Sequence, residues 1–282
     1  MTQPSPADTA PHFPDRRRKI LLYGGLGLVA ALAIVGFAGW YFLIRDDSPP
    51  SVTSAAQEAA RDAAIEEATS GENAGAVDES DPLPTADRDD PADAAAPGLD
   101  GTWIIDDSIG DFADFSSGFV GFRIDEELAS IGASTVVGRT PDVTGTLEIE
   151  GATITSTEML VDMTTLTTGI SNRDGAIRRQ AIETNTFPEA TFSLTSPIEL
   201  GTLPDDGVPV DITATGDLTV HGVTNSVDIP LTAELNSGVI VVAGELGPFL
   251  LSDFDIQRPS AAVVLSVEDN AIMELQLFFT QG

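Results

Sequence analysis

The stretch 208-VPVDITATGDLTV-220 constrains the fold more than any other part of this chain. Val208, Val210, Ile212, Ala214, Leu218 and Val220 occupy alternate places, and most residues between them are polar. Successive side chains of an extended strand point to opposite faces, so one face here is buried and the other wet. After His221-Gly222 the alternation resumes at Val223, Val227, Ile229, Leu231, Ala233 and Leu235, the pattern of a long antiparallel hairpin. Similar runs lie at Val143, Gly145, Leu147 and Ile149, around Ile154 to Met163, and from Val239 to Leu246. Val263-Leu265-Val267 and Met273-Leu275-Leu277-Phe279 flank the turn Glu268-Asp269-Asn270.

About eight such strands, with connections too short for crossover helices, predict an all-β, meandering antiparallel sheet. Closure into a barrel removes the free edges and leaves an interior that is filled by side chains or holds one small ligand, as in lipocalins. A β-sandwich is the alternative; hairpins of about a dozen residues per strand favour tilted barrel staves.

One segment departs from period two. In 172–184, Asn172 is a candidate cap and Asp174 suits the positive end of a helix. Ile177, Ala181 and Ile182 fall on one stripe, and Arg178 and Arg179 lie towards the negative end. Gly175 weakens the element, so the pattern predicts one short helix of two to three turns held by packing that stripe on the barrel. Phe187-Pro188 ends it.

The globular pattern starts only near residue 101. Residues 1–19 are polar and end in Arg16-Arg17-Arg18-Lys19, and residues 20–44 carry no charge. As a helix that run reaches roughly 37 Å, enough for a ~30 Å hydrocarbon core, and reads as a transmembrane anchor. Basic residues before it and Asp46-Asp47 after it place 1–19 in the cytoplasm and everything beyond outside. A cleaved signal peptide has a shorter apolar core and a small-x-small site, whereas this run ends in Trp-Tyr-Phe-Leu-Ile. Residues 45–100 hold 15 acidic and 3 basic side chains with many Ala and Pro, the composition of a disordered, extended linker.

Residues 101–282 carry 28 acidic side chains against six arginines, a formal charge of −22, which argues against nucleic acid or anionic lipid headgroups as partners. With no cysteine there is no disulfide or thiol chemistry. His221, the domain's one histidine, sits in a turn and is expected to be solvated; without clustered ligands it makes no metal site. Asp253 and Asp255 around one Phe fall short of a calcium loop, and no nucleophile–base pair or phosphate loop is present. The chain reads as a non-enzyme with no cofactor. The oligomeric state stays open, a homodimer among the options.

The order Asp162-x-x-x-Leu166-Thr167, Arg173-Asp174, Phe187-Pro188-x-Ala190-x-Phe192 and Gly216-Asp217-Leu218-Thr219-x-x-Gly222-x-Thr224, with 249-FLLSDFDIQRPS-260, resembles the YceI-like family of bacterial lipid-binding proteins. The likeness spans essentially all of 101–282. It implies a lipocalin-like barrel whose elongated apolar pore holds a polyisoprenoid chain, such as the tail of a respiratory quinone or a related isoprenoid lipid, here in a membrane-anchored member. Within that motif set, Arg173, Asp174, Pro188, Gly216 and Gly222 are expected to serve the structure. Where many members carry a histidine on the first long strand, this chain has Ser116-Ser117-Gly118-Phe119.

Candidates for the pore lining are Phe119, Phe122, Leu128, Ile131, Leu166, Ile177, Ile182, Phe187, Phe192, Phe249 and Phe254. Alternation marks a residue as inward without showing that it faces a void, so the same residues serve equally well to fill a barrel. Arg173, Arg178 or Arg179 could meet a quinone or pyrophosphate head; alternatively Arg173 pairs with Asp174 or a strand carboxylate and locks the helix to the rim. The expected function is binding of an isoprenoid lipid at the outer side of the cytoplasmic membrane, for carriage, storage or sequestration. The alternative is a ligand-free barrel acting as an envelope scaffold or protein-interaction module.

Overall fold

The computed structural model describes residues 98–129 and 132–282, together with residues 51, 52 and 62. The expected anchor 20–44, nearly all of the linker 45–100, and Ile131 lie outside the described residues. Among the described residues no helix is long and apolar enough to cross a membrane.

Twelve strands form one antiparallel sheet: β1 (Gly101–Ile105), β2 (Phe119–Leu128), β3 (Gly132–Thr140), β4 (Val143–Glu150), β5 (Thr153–Asp162), β6 (Glu189–Leu194), β7 (Ile198–Glu199), β8 (Val210–Val220), β9 (Val223–Asn236), β10 (Val239–Leu250), β11 (Val264–Val267) and β12 (Asn270–Gln281). Around the ring the order is β1-β4-β5-β6-β8-β9-β10-β12, and β12 pairs back onto β1, so eight strands close a barrel. Closure satisfies both edges, as the alternation requires.

Two staves are built from paired pieces. β12 pairs with β1 through Phe279–Gln281 and, on the same side, with β2 through Ile272–Gln276, so β2 continues the line of β1. β4 pairs with β1, and β3 with β2, in the same way. Residues 106–118 leave the stave between β1 and β2 and lie over the outer face of β10 and β12, where Ile109 packs with Val239, Val241 and Phe278. β11 pairs with β2 beyond the start of β12, so Glu268-Asp269 is a jog between two strands on one side of β2 rather than a hairpin turn.

β8 and β9 are the predicted hairpin, paired from Val220↔Val223 to Val210↔Ala233. Their two-residue turn needs left-handed backbone at both positions, supplied by His221 at φ 52° and Gly222 at φ 74°. Beside that turn lies the helix: α1 (Ser171–Ala176) runs on as a π-helical turn over Ile177–Ala181. It begins two residues earlier than a cap at Asn172 would set, because Ile170 holds the cap position without a side-chain bond. Asp174 is buried instead, accepting hydrogen bonds from the Thr167 hydroxyl, the Thr168 amide and the Thr168 hydroxyl. These bonds tie the helix to the chain that leads into it.

Candidate ligand-binding site

The main apolar core is hollow. Its inward side chains surround a cavity of about 260 Å³. A buried water needs only ~10–15 Å³, so this is a lumen and not a packing defect. Val210 and Val220, at opposite ends of β8, both line it. Ten residue steps of ~3.3 Å, tilted by ~40°, make the lumen on the order of 25 Å long.

Strand register decides which side chains face in. On β2 these are Val120, Phe122, Ile124 and Glu126, and on β8 Val210, Ile212, Ala214, Leu218 and Val220. On β10, Ile240 and Val242 face in, but Phe249 follows with the opposite parity. A bulge between Leu246 and Phe249 shifts the register there and re-aims the following side chain. Gly216 on β8 leaves room for Phe192: a Cβ there would strike the Phe192 ring and the Ser193 carbonyl. Helix α1 and its π-turn cover one end of the barrel. The Ile182 amide donates to the Ile177 carbonyl at 3.0 Å, an i→i+5 bond that brings both isoleucines to the lumen with Ala181.

Of the candidates read from sequence, Phe122, Leu166, Ile177, Ile182, Phe192 and Phe249 line the lumen. Four described ones do not. Phe119 is three residues from Phe122, so the two face opposite sides of β2; Phe119 points outward and is buried by the 106–118 excursion. Leu128, the last residue of β2, is half-buried beyond the lumen. Phe187 closes over the β8–β9 turn, where a Cβ on Gly222 would lie 2.6 Å from its ring, and it meets His221 edge-on at 4.5 Å. Phe254 stacks on Phe249 at 4.6 Å and so supports the lining from behind. Ile131 lies outside the described residues. Met159, Val161, Ile212, Leu218, Ile229 and Leu275 also line the lumen and were absent from the candidate set. The signal that finds them is the same alternation, once no preference is given to aromatic residues.

Two charged groups are placed by the fold in ways the sequence left open. Arg173 pairs with Glu126 of β2, Nη2 to Oε1 2.9 Å, and not with its neighbour Asp174. Arg178 donates to the Thr164 carbonyl at 2.9 Å, and the Pro188 carbonyl accepts from the Met163 amide at 2.8 Å, so the second half of the helical segment and the chain that leaves it are held to the rim after β5. His221 is enclosed rather than solvated: Nδ1 lies 3.2 Å from the Phe254 carbonyl oxygen and Nε2 3.3 Å from the Glu183 carboxylate.

Outside the wall, under the 106–118 excursion, Glu274 of β12 takes Arg123 on one oxygen and Arg139 on the other, each Nε at 2.7 Å. The Arg139 guanidinium also lies 4.0 Å from the centre of the Phe119 ring. Burial pushes the Arg139 pKa below its usual value, and the hydrogen bond and charge of Glu274 oppose that push. This cluster fastens strands together and does not reach the lumen. Among the described residues no group of three or more His, Cys, Asp or Glu side chains converges to hold a metal ion.

A hollow, apolar, antiparallel barrel capped by one helix is what the sequence motifs lead to, and the comparison with known families agrees. The model described as the YceI-like domain matches residues 113–279. The chain belongs to the YceI-like family. No curated protein matches it. Among solved structures this YceI-like chain is similar to a polyisoprenoid binding domain from Saccharophagus degradans implicated in plant cell wall breakdown, at 16% identity over 64% of this chain and 98% of that one, TM-score 0.49. It is similar also to BcnA of Burkholderia cenocepacia, at 19% identity over 56% of this chain and 95% of that one, TM-score 0.43. A third is the YceI protein of Campylobacter jejuni, at 16% identity over 51% of this chain and 84% of that one, TM-score 0.42.

Proposed function

We propose that this YceI-like domain binds a polyisoprenoid lipid, an isoprenoid quinone or a related chain, inside its barrel. The observation that carries the reading is the lumen itself: long, narrow and walled by aliphatic and aromatic side chains along its length. Each methylene moved from water into such a space contributes about 0.8 kcal/mol, so a chain that fills it binds without any further recognition. Membership of the family supports the same ligand class. The role is non-enzymatic: the protein takes up, holds and releases the lipid, for carriage, storage or sequestration.

Residues 20–44 anchor the chain in the cytoplasmic membrane with residues 1–19 inside, and the barrel works on the outer side. The positive run before the apolar segment and the acidic residues after it support that orientation. The acidic, Ala- and Pro-rich composition of residues 45–100 suits a tether between the anchor and the barrel.

The test is to purify the full chain in mild detergent and analyse its organic extract by mass spectrometry. A stoichiometric isoprenoid is the expected result. Protein that carries no lipid and takes up no added quinone would overturn the reading. Orientation is checked separately by protease treatment of spheroplasts, which should remove the barrel and leave residues 1–19 protected.

A further inference from the structure

The polar groups of the lumen are unevenly placed. Glu126 takes an inward position near the end of β2, and Arg173 reaches it from α1, so both lie at the helix-capped end. The Glu126 side chain is 6% exposed and that of Arg173 29%, which puts the pair across the boundary between lumen and solvent. Of the threonines at the lumen, Thr140 and Thr157 are already engaged, one with the Thr165 hydroxyl and the other with the Thr146 carbonyl, and Thr191 borders it from β6 between the inward Ala190 and Phe192. Glu234 borders the cavity from β9, where Ala233 and Leu235 hold the inward positions on either side of it. The opposite end is lined by Leu99, Ile198, Leu200, Pro204 and Leu235. An amphiphile filling the lumen therefore lies with its head beside Glu126 and Arg173 and its tail towards Leu99 and Leu200.

The charge of that pair decides what head fits. Arg173 already has its counter-charge in Glu126, within a domain of 28 acidic side chains and six arginines. A phosphate, pyrophosphate or fatty-acid carboxylate can reach the other N–H donors of Arg173, but it then sets a second anion beside the buried Glu126 carboxylate with one guanidinium to balance both, a repulsion that solvent screens little at a site so buried. An uncharged head adds no such repulsion. Its carbonyl or hydroxyl oxygen accepts from Arg173, whose guanidinium has five N–H donors, and its hydroxyl donates to the Glu126 carboxylate. We propose that the Glu126–Arg173 pair makes the barrel selective for isoprenoid lipids with an uncharged, hydrogen-bonding head, a quinone, quinol or polyprenol, and that Glu126 is the residue that rejects anionic heads. This rests on the lipid-binding reading above.

The experiment uses the full chain in detergent, stripped of lipid, and measures binding of a polyprenol and of the polyprenyl phosphate with the same tail, by displacement of a fluorescent apolar probe. The polyprenol should bind at least about tenfold more tightly, a difference of about 1.4 kcal/mol. Glu126→Gln keeps the shape and frees the Arg173 charge, so the ratio should move by at least about tenfold towards the phosphate. Arg173→Gln should move it the other way, and the double variant, with neither charge, supplies the comparison where a single variant fails to fold. Equal or tighter binding of the phosphate to the unaltered chain overturns the proposal, as does a ratio that Glu126→Gln leaves unchanged. Failure of both lipids to bind overturns the lipid-binding reading and this inference with it, whereas anionic preference overturns the inference alone.

Discussion

Replacing Ala214 by leucine places three further carbons in the middle of the lumen. Ala214 sits on β8 opposite Ile229, is buried, and faces the cavity rather than a packed neighbour across it. If each added carbon displaces about one methylene of a bound chain at ~0.8 kcal/mol, the ligand loses about 2.4 kcal/mol, roughly fiftyfold in Kd. The empty protein should respond in the opposite direction. Filling a void adds apolar contacts without forcing the wall apart, so Ala214→Leu should stabilise the lipid-free chain by about 0.5–2 kcal/mol. A packed core would instead lose about 1–3 kcal/mol to strain. Titration with a quinone in detergent gives the change in affinity, and urea denaturation of the lipid-free protein gives the change in stability. Tighter folding together with weaker binding is the expected result. A destabilised variant would mean that Ala214 lies in a filled wall, and a more stable variant with unchanged affinity would mean that the lipid binds elsewhere.

Glu274→Ala leaves Arg123 and the buried Arg139 without their shared carboxylate and should cost about 3–5 kcal/mol by urea denaturation, with no dependence on lipid. Gly216→Val should cost at least about 1–3 kcal/mol, because the added atoms meet the Phe192 ring and backbone at Ser193; a stability equal to that of the unaltered chain would show that the strands are not so closely paired. Phe187→Ala separates lining from support: Phe187 is half-buried, so the change should lower stability by about 1–2 kcal/mol through lost packing on His221 and Gly222, yet change quinone affinity far less than Ala214→Leu at matched temperature below the melting transition.

Legibility in the sequence followed the strength of the local signal. The β8–β9 hairpin, its His221-Gly222 turn and the helix carrying Ile177, Ala181 and Ile182 are written in nearest-neighbour patterns, and all three stand in the structure. The closed barrel followed from the same alternation, because a long antiparallel sheet with no covering layer has to lose its edges. The pore lining was half legible. Phe119 and Phe122 look equivalent as residues, but their parity differs, and which parity faces inward depends on where β2 enters the sheet. Phe187 and Phe254 read as pore residues by size and apolarity; their neighbours His221 and Phe249 are far away in sequence and gave no sign of claiming them.

What the sequence determined is therefore the periodic part: strands of a given length and two-faced character, one interruption of that period, and a family-wide motif order. These are local properties, set by which side chains can share a face over a few residues. What the tertiary structure decided is everything that depends on closure. Pairing β12 with both β1 and β2 sends 106–118 across the outside of the barrel and buries Glu274 and Phe119 there. Wrapping the staves around a radius too large for their own side chains leaves the lumen open. Docking the helix over one end brings Arg173 to Glu126 across a sequence separation of 47. No periodicity encodes such a meeting, because it is the ring of strands, and not the spacing of residues along the chain, that makes them neighbours.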